Sequence, residues 1–329
     1  MTHNITTDRP LVTFALFAYN QEKYIREAVE GAFSQTYQPL EIILSDDCSS
    51  DRTFEIMQEM AATYDGHHEV RVRRNVANLG VLSHVLSVAR SAKGDILVVA
   101  AGDDISFPNR AEVVVQNFTG EDIYALSSDD IIIDDQGVVT DLDPERISQR
   151  DNWHNKAPTW LHGATAAYRT GFLKVLPFPE NPIFYEDMVF ADVIDALGKK
   201  SVRIRSPLIK YRYHLDNLSN RLFGDRSLQH LEEKVVERWQ WASHAKNYTV
   251  LTVLLLAQRS IKIKAEVLSR LSGESKYLSL ISSWQVNNLF ERAKLLYFSF
   301  RYGNIKSSVI RVLGKKMFFT LKTYTRRNA

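Results

Sequence analysis

The stretch Ile96-Leu97-Val98-Val99-Ala100-Ala101-Gly102-Asp103-Asp104 decides the fold. Six apolar residues, several of them β-branched, read as a strand buried on both faces, the kind a parallel sheet covered by helices requires. The run stops at two adjacent carboxylates, and a buried charge needs a partner. The crevice beyond the carboxyl ends of the strands is where open α/β sheets bind ligands. Two readings fit. One is a hard divalent cation held by few carboxylates and by phosphate oxygens; the other is a solvated strand-to-loop turn, for which Gly-Asp is common chemistry.

The residues before it alternate strand and helix patterns. Leu11–Phe17 reads as a strand and Glu22–Phe33 as a helix with Tyr24, Ala28, Val29 and Ala32 on one face. Ile42–Leu44 is a second strand, and Asp51 is placed to cap a helix from Arg52 to about Tyr64. Val70–Val72 is a third strand, and Val81–Ala92 a helix closed by Gly94. This order predicts an α/β fold with a doubly wound, mainly parallel sheet. Past the two aspartates the pattern is mixed: a helix at Glu112–Phe118, a strand at Ile123–Leu126, and a hairpin joining Ile131–Ile133 to Val138–Thr140. Asp129, Asp130, Asp134 and Asp135 read as solvated turn residues without a chemical role. Residues beyond about Leu228 read as amphipathic helices, so the expected division is 1–226 for the α/β domain and 227–329 for a helical C-terminal region.

Composition excludes some classes. A chain of 329 residues with 45% hydrophobic content is long enough for one large domain and an appendage. Its one cysteine, Cys48, allows no internal disulfide and points to a reducing, cytoplasmic compartment. The polar start, Met1 to Pro10, lacks a signal-peptide core, and Val250 to Ala257 is too short to span a bilayer. The net charge of +2 hides an asymmetry: from Leu289 onward ten Lys and Arg face Glu291 alone, a net of +9, which leaves −7 for the rest. Cations interleaved with aromatics, as in Lys294-Leu295-Leu296-Tyr297-Phe298 and Lys315-Lys316-Met317-Phe318-Phe319, suit an anionic membrane surface at its inner face. A solvated face of a helical subdomain or dimer contact accounts for them equally well. Nucleic acid is not expected as a partner of so acidic a body, and oligomeric state is not legible.

Four clusters fall where strands should end. Phe17-Ala18-Tyr19-Asn20 offers an aromatic to stack on a base, or is a plain loop with a core tyrosine. In Ser45-Asp46-Asp47-Cys48-Ser49-Ser50-Asp51 one carboxylate can accept from the imide N–H of uracil or thymine, or the segment is a helix-entry turn. Asp103-Asp104 is the third. Glu186-Asp187, after Tyr185, holds either a general base for an acceptor hydroxyl or acids favoured by a helix dipole. His214 is a lone histidine, structural or a ligand.

In this order the clusters resemble the inverting family 2 of nucleotide-sugar glycosyltransferases, whose fold is GT-A. The opening strand with Ala18-Tyr19-Asn20, then Ser34-Gln35-Thr36-Tyr37 and Glu41-Ile42-Ile43-Leu44-Ser45-Asp46-Asp47-Cys48-Ser49-Ser50-Asp51-Arg52-Thr53, is similar to that family's beginning. Asn78-Leu79-Gly80 and Ala92-Lys93-Gly94-Asp95 match its approach to the metal strand, Gly102-Asp103-Asp104 its metal motif, Glu186-Asp187 its base motif and His214 its late histidine. The resemblance covers roughly residues 10 to 220. It implies Ala18, Tyr19, Asn20, Asp47 and Asp103 at the nucleotide, Asp104 and His214 at Mn2+ or Mg2+, and Asp187 as the base. Glu186 is a further candidate, as is Arg212 for the diphosphate. Expected partners are a nucleotide-sugar donor, UDP- or dTDP-linked, and a glycan or lipid-linked acceptor of bacterial polysaccharide synthesis, with donor selectivity set around Trp160-Leu161-His162-Gly163.

Two departures stand out. Ala101 occupies the place of the first acid in the family's Asp-x-Asp-Asp, and Cys48 stands where glycine or asparagine is common. A sugar-phosphate nucleotidyltransferase would need a glycine-rich basic loop after the first strand, and Ala18-Tyr19-Asn20-Gln21 is not one. A non-catalytic interaction module of the same fold would carry the three acids as relics.

Overall fold

A computed structural model describes residues 9–140, 161–214, 217, 228–259, 261–283, 294 and 297. The expectations placed on Trp160, the boundary near Arg226 and most of the basic segment from Leu289 onward lie outside these residues.

Among the described residues eight strands, numbered in chain order, form one sheet in the order β3-β2-β1-β4-β7-β6-β8-β5. Strands β1 (Val12–Ala18), β2 (Leu40–Asp46), β3 (Glu69–Arg74) and β4 (Ile96–Ala101) are mutually parallel, with Phe14 facing Ile42 on one side and Val98 on the other. Helices α1 (Ile25–Phe33), α2 (Thr53–Ala62) and α3 (Val81–Ser91) are the crossovers between them. The alternation of a strand decides which helix each residue meets. Val12, Phe14, Leu16 and Ala18 pack with Ile25, Val29, Met57 and, from α4 (Arg110–Asn117), Ala111 and Val114. Phe17 and Ser45 turn to the other face, against His84 of α3.

The second half of the sheet departs from the parallel pattern. Strand β7 (Ala167–Arg169) runs antiparallel to both β4 and β6 (Ile123–Ile133), and β8 (Lys200–Arg212) lies parallel to β6 and antiparallel to β5 (Ile105–Ser106). Helices α5 (Thr170–Lys174) and α6 (Glu186–Ala196) connect them. Here the sequence reading needs correction. Asp129 and Asp130 are strand residues of β6, which continues through them by register shifts on either side of Asp129. Asp129 pairs with Arg203 of β8 at 2.6 Å.

Chain contacts divide the protein into two units: 1–182 with 186–195 and 199–213, and 183–185 with 196–198 and 214–329. In the second, α7 (Leu228–Gln258) and α8 (Ala265–Ser282) form an antiparallel pair around Leu256, Leu271 and Ile281, fastened by Lys246 to Glu274 at 2.8 Å. Among the described residues no helix is long and apolar enough to cross a membrane.

Entry into β4 is set by a buried acid and a glycine. Glu41, on β2, accepts from Thr13 Oγ1, from Lys93 N at 2.6 Å and from Arg71 Nη2 at 2.8 Å. Burial raises its pKa, but these donors outweigh it and hold the carboxyl below its usual range. Gly94 crosses so closely that a Cβ would lie 2.4 Å from Thr13 N and 2.7 Å from Val12 C, both backbone. Gly94→Ala must therefore push β4 off β1, and we expect a loss of about 1–3 kcal/mol in urea unfolding; a midpoint equal to wild type would refute this packing.

Candidate active site

The loops that follow β1, β2 and β4 are bonded to one another before any ligand is considered. Asp47 N donates to Ala18 O and Gly102 N to Phe17 O, each at 2.9 Å. Asn20, at φ 52°, accepts on Oδ1 from Ser50 N at 2.8 Å, and its own N–H donates to Ser49 Oγ at 2.9 Å. Asn20 thus joins two loops. The N-cap of α2 is Arg52, not Asp51 as expected; Asp51, one residue earlier, accepts from Thr53 N at 2.9 Å and from Glu22 N at 3.0 Å. Tyr19, in the same loop, is exposed, at 39%, as a stacking surface must be.

Asp47 is buried and occupied. Its Oδ1 accepts from Asn75 Nδ2 at 2.7 Å and Leu79 N at 3.0 Å, and its Oδ2 from Gly80 N at 3.1 Å. These bonds draw the loop before α3 to the end of β2. A carboxylate offers about four acceptor sites, so one remains for a base N–H. Behind it, His84 is sealed in, bonded to Ser45 Oγ at 2.6 Å; burial, then the nearby Arg73 charge, depress its pKa to about 3. Cys48 adopts φ 66°. That left-handed backbone is what glycine or asparagine would meet without strain, and it explains the family's habit at this position.

At the end of β4 the two aspartates differ. Asp103 is half-buried, whereas Asp104 is buried, with Oδ1 accepting from Arg212 N at 2.8 Å. Asp104 Oδ2 has no partner among the described residues. Burial first, then the Asp103 charge, push this carboxyl far up, and the more distant Arg110 and Asp130 act on it in opposite directions. An orphaned, desolvated oxygen at a strand end is chemically fitted to a cation. Among the described residues no three His, Cys, Asp or Glu side chains gather into a complete metal shell.

Arg212 is not free to meet a diphosphate. Its guanidinium is 1% exposed and donates to Asp103 O at 3.0 Å, to Asp134 O and Asp135 O at 3.3 Å each, and to Glu27 at 3.0 Å. Its job is to hold the β4 turn, the β6 hairpin and α1 together. His214 opens the second unit, where its N–H donates to Asn217 Oδ1.

Arg110 carries no signal that the sequence reading used, although a cation on the same buried face as Ala111 and Val114 is itself unusual. It donates to Ser106 Oγ at 2.9 Å, Val99 O at 2.6 Å and Ala164 O at 3.1 Å. Burial lowers its pKa to about 10. Through Ala164 it fixes the 3-10 turn Gly163–Thr165, and that turn meets the fourth cluster. Asp187, in the first turn of α6, accepts from Met188 N at 2.7 Å and from Gly163 N. A Cβ on Gly163 would lie 2.3 Å from Glu186 Oε1, so the turn and the acids are in tight contact. Desolvation and the Asp187 charge push Glu186 up to about 8, so it is protonated at neutral pH. Desolvation raises Asp187 also, while the N–H groups of Met188, Gly163 and Asp187 itself, together with His162, favour the ionised form.

Residues 13–175 match the model described as glycosyl transferase family 2. Through this segment the chain belongs to glycosyl transferase family 2. EpsE of Bacillus subtilis (strain 168) is 36% identical over 104 residues, 31% of this chain and 36% of EpsE. The chain spans between a quarter and about a third of the length of the first curated relatives it matches. The mannosyltransferase PcManGT of Pyrobaculum calidifontis, solved with GDP-Man and Mn2+, superposes with a TM-score of 0.54 at 16% identity, over 93% of this chain and 87% of that one. TarS 1-349 of S. aureus, solved with UDP-GlcNAc, also gives 0.54 at 16% identity, over 96% and 92%. The fold is GT-A, as the family's sequence pattern implies.

Cys48→Asn relieves the left-handed strain at the loop after β2, and thermal melting should rise by the equivalent of up to about 1 kcal/mol. A lower midpoint would show that the Cys48 Sγ contact to Val76 O, at 3.7 Å, matters more than the backbone.

Proposed function

We propose that this chain is an inverting glycosyltransferase that moves a hexose from a nucleotide-diphosphate donor to a hydroxyl of a glycan or lipid-linked acceptor. One juxtaposition supports it above all: Asp104, with its buried, unpartnered oxygen, lies one Arg110-bonded turn away from the half-buried Asp187. The first is suited to the donor's cation, the second to the acceptor's proton.

Tyr19 would stack on the base and Asp47 accept from its edge, with Ala18, Asn20 and Asp103 shaping the rest of the nucleotide site. Asp104 is the principal candidate to hold Mn2+ or Mg2+, with His214 a candidate by its place in the sequence. A divalent cation there supplies charge neutralisation for the departing diphosphate. Asp187 takes the proton from the attacking hydroxyl, which displaces the diphosphate from the opposite face of the anomeric carbon in a single step. A base needs a pKa raised toward the working pH while still ionised. The raised Asp187 beside a protonated Glu186 meets that need. The donor is taken to be a UDP- or dTDP-sugar and the setting bacterial O-antigen or capsule-type synthesis, at the inner membrane face.

Asp187→Asn should lower transfer at least about 100-fold and leave Kd for nucleoside diphosphate with Mn2+ within twofold; equal loss of both sinks the base assignment. For Asp104, Mn2+ with UDP or GDP should raise the melting temperature of the wild type and not of Asp104→Asn. An equal rise in both would remove Asp104 from the metal site.

A further inference from the structure

The sheet splits beyond Val98. Both Val98 and Leu126 face Ala167, where β7 lies between β4 and β6. Strands β4 and β6 therefore run the same way, and four residues further along each come Gly102 and Asp130. Among the described residues no strand fills the gap there. The turn at Gly163–Thr165 does, with Ala166 O accepting from Val99 N at 2.9 Å on one side and Thr165 Oγ1 from Ser128 N at 3.2 Å on the other. His162, just before this turn, lies with Nδ1 3.5 Å from Oδ2 of Asp130, a side chain only 4% exposed. Its ring also packs on Tyr211 of β8, with centroids 5.2 Å apart. The next residue, Gly163, donates its N–H to Asp187.

Resting on the glycosyltransferase reading, we propose that His162, anchored by Asp130, is the positioning residue of the base Asp187. Asp130 fixes the imidazole; the imidazole fixes the start of the turn; and the turn presents the Gly163 N–H to the carboxylate. His162 lies close enough to Asp187 to favour its ionised form. The groups that face this pair are Asp130 from β6, Tyr211 from β8, Glu186 from α6 and the buried Tyr168 hydroxyl from β7, which feels both acids of α6. Arg110 reaches the turn through Ala164 O, and the Asp104 charge is felt by Asp130. Of Arg110 and His162, it is His162 that acts directly on Asp187. The sequence expectation put Asp130 in a solvated turn; the split sheet places it in β6 beside His162.

The test uses the full chain carrying 13C-labelled aspartate, with the Asp187 carboxyl signal assigned by its absence in Asp187→Asn. In His162→Gln and in Asp130→Asn the midpoint of that signal should rise by about one pH unit or more, while Kd for UDP or GDP with Mn2+ stays within twofold. The acid limb of kcat should move with it and the donor KM should not. An unmoved Asp187 titration in a folded His162→Gln overturns the proposal, as does a fall in donor affinity equal to the fall in kcat. His162 is partly exposed, so His162→Gln keeps the test open should Asp130→Asn fail to fold. A shifted Asp187 signal in a chain that transfers no sugar would leave this coupling standing and defeat the transferase reading instead.

Discussion

Arg110 brings a full positive charge into the interior of the sheet, and the arrangement of the site depends on where that charge is spent. Its guanidinium donates to neutral oxygens on β4, on β5 and on the turn before β7. Charge-assisted bonds of this kind are stronger than neutral ones, and a buried cation cannot give them up without a large desolvation penalty. The end of β4 and the turn that touches Asp187 are therefore held by one side chain. Arg212 does the same work from the other side, between β8, the β4 turn and α1.

Both arginines are surrounded by more carbonyls than carboxylates, and that leaves Asp104 without a contacting counter-charge. Its free oxygen is a standing cost in the isolated protein. Such an expense is tolerated where a bound cation repays it. With alanine at position 101, the usual first acid of the family is absent, and the remaining negative charge at this edge comes from Asp103, Asp104 and, across the split sheet, Asp130.

Legibility in the sequence followed the local signals. The strand Ile96–Ala101, the helix Val81–Ser91 and the entry of α6 at Glu186 were readable, because apolar period and capping chemistry are properties of neighbouring residues. Strand β8 was not, since Lys200–Arg212 mixes charges and Pro207 with apolar residues and gains its strand form only by pairing with β6. Asp129 and Asp130 were misplaced for the same reason. Arg212 was readable as a cation near the site, but its burial, and hence its exclusion from the diphosphate, came from elements more than 75 residues away in the chain.

By itself the sequence determined the family, the parallel half of the sheet and the acids at its carboxyl edge. Those follow from hydrophobic period and from motifs a few residues long. Only the tertiary structure decided that Asp47 is a bonded hub, that Arg110 and Arg212 are internal clamps, and that His162 meets Asp130 while acting on Asp187. Each of these depends on which groups remain desolvated and unpaired after distant segments meet, and burial is a property of the assembled fold.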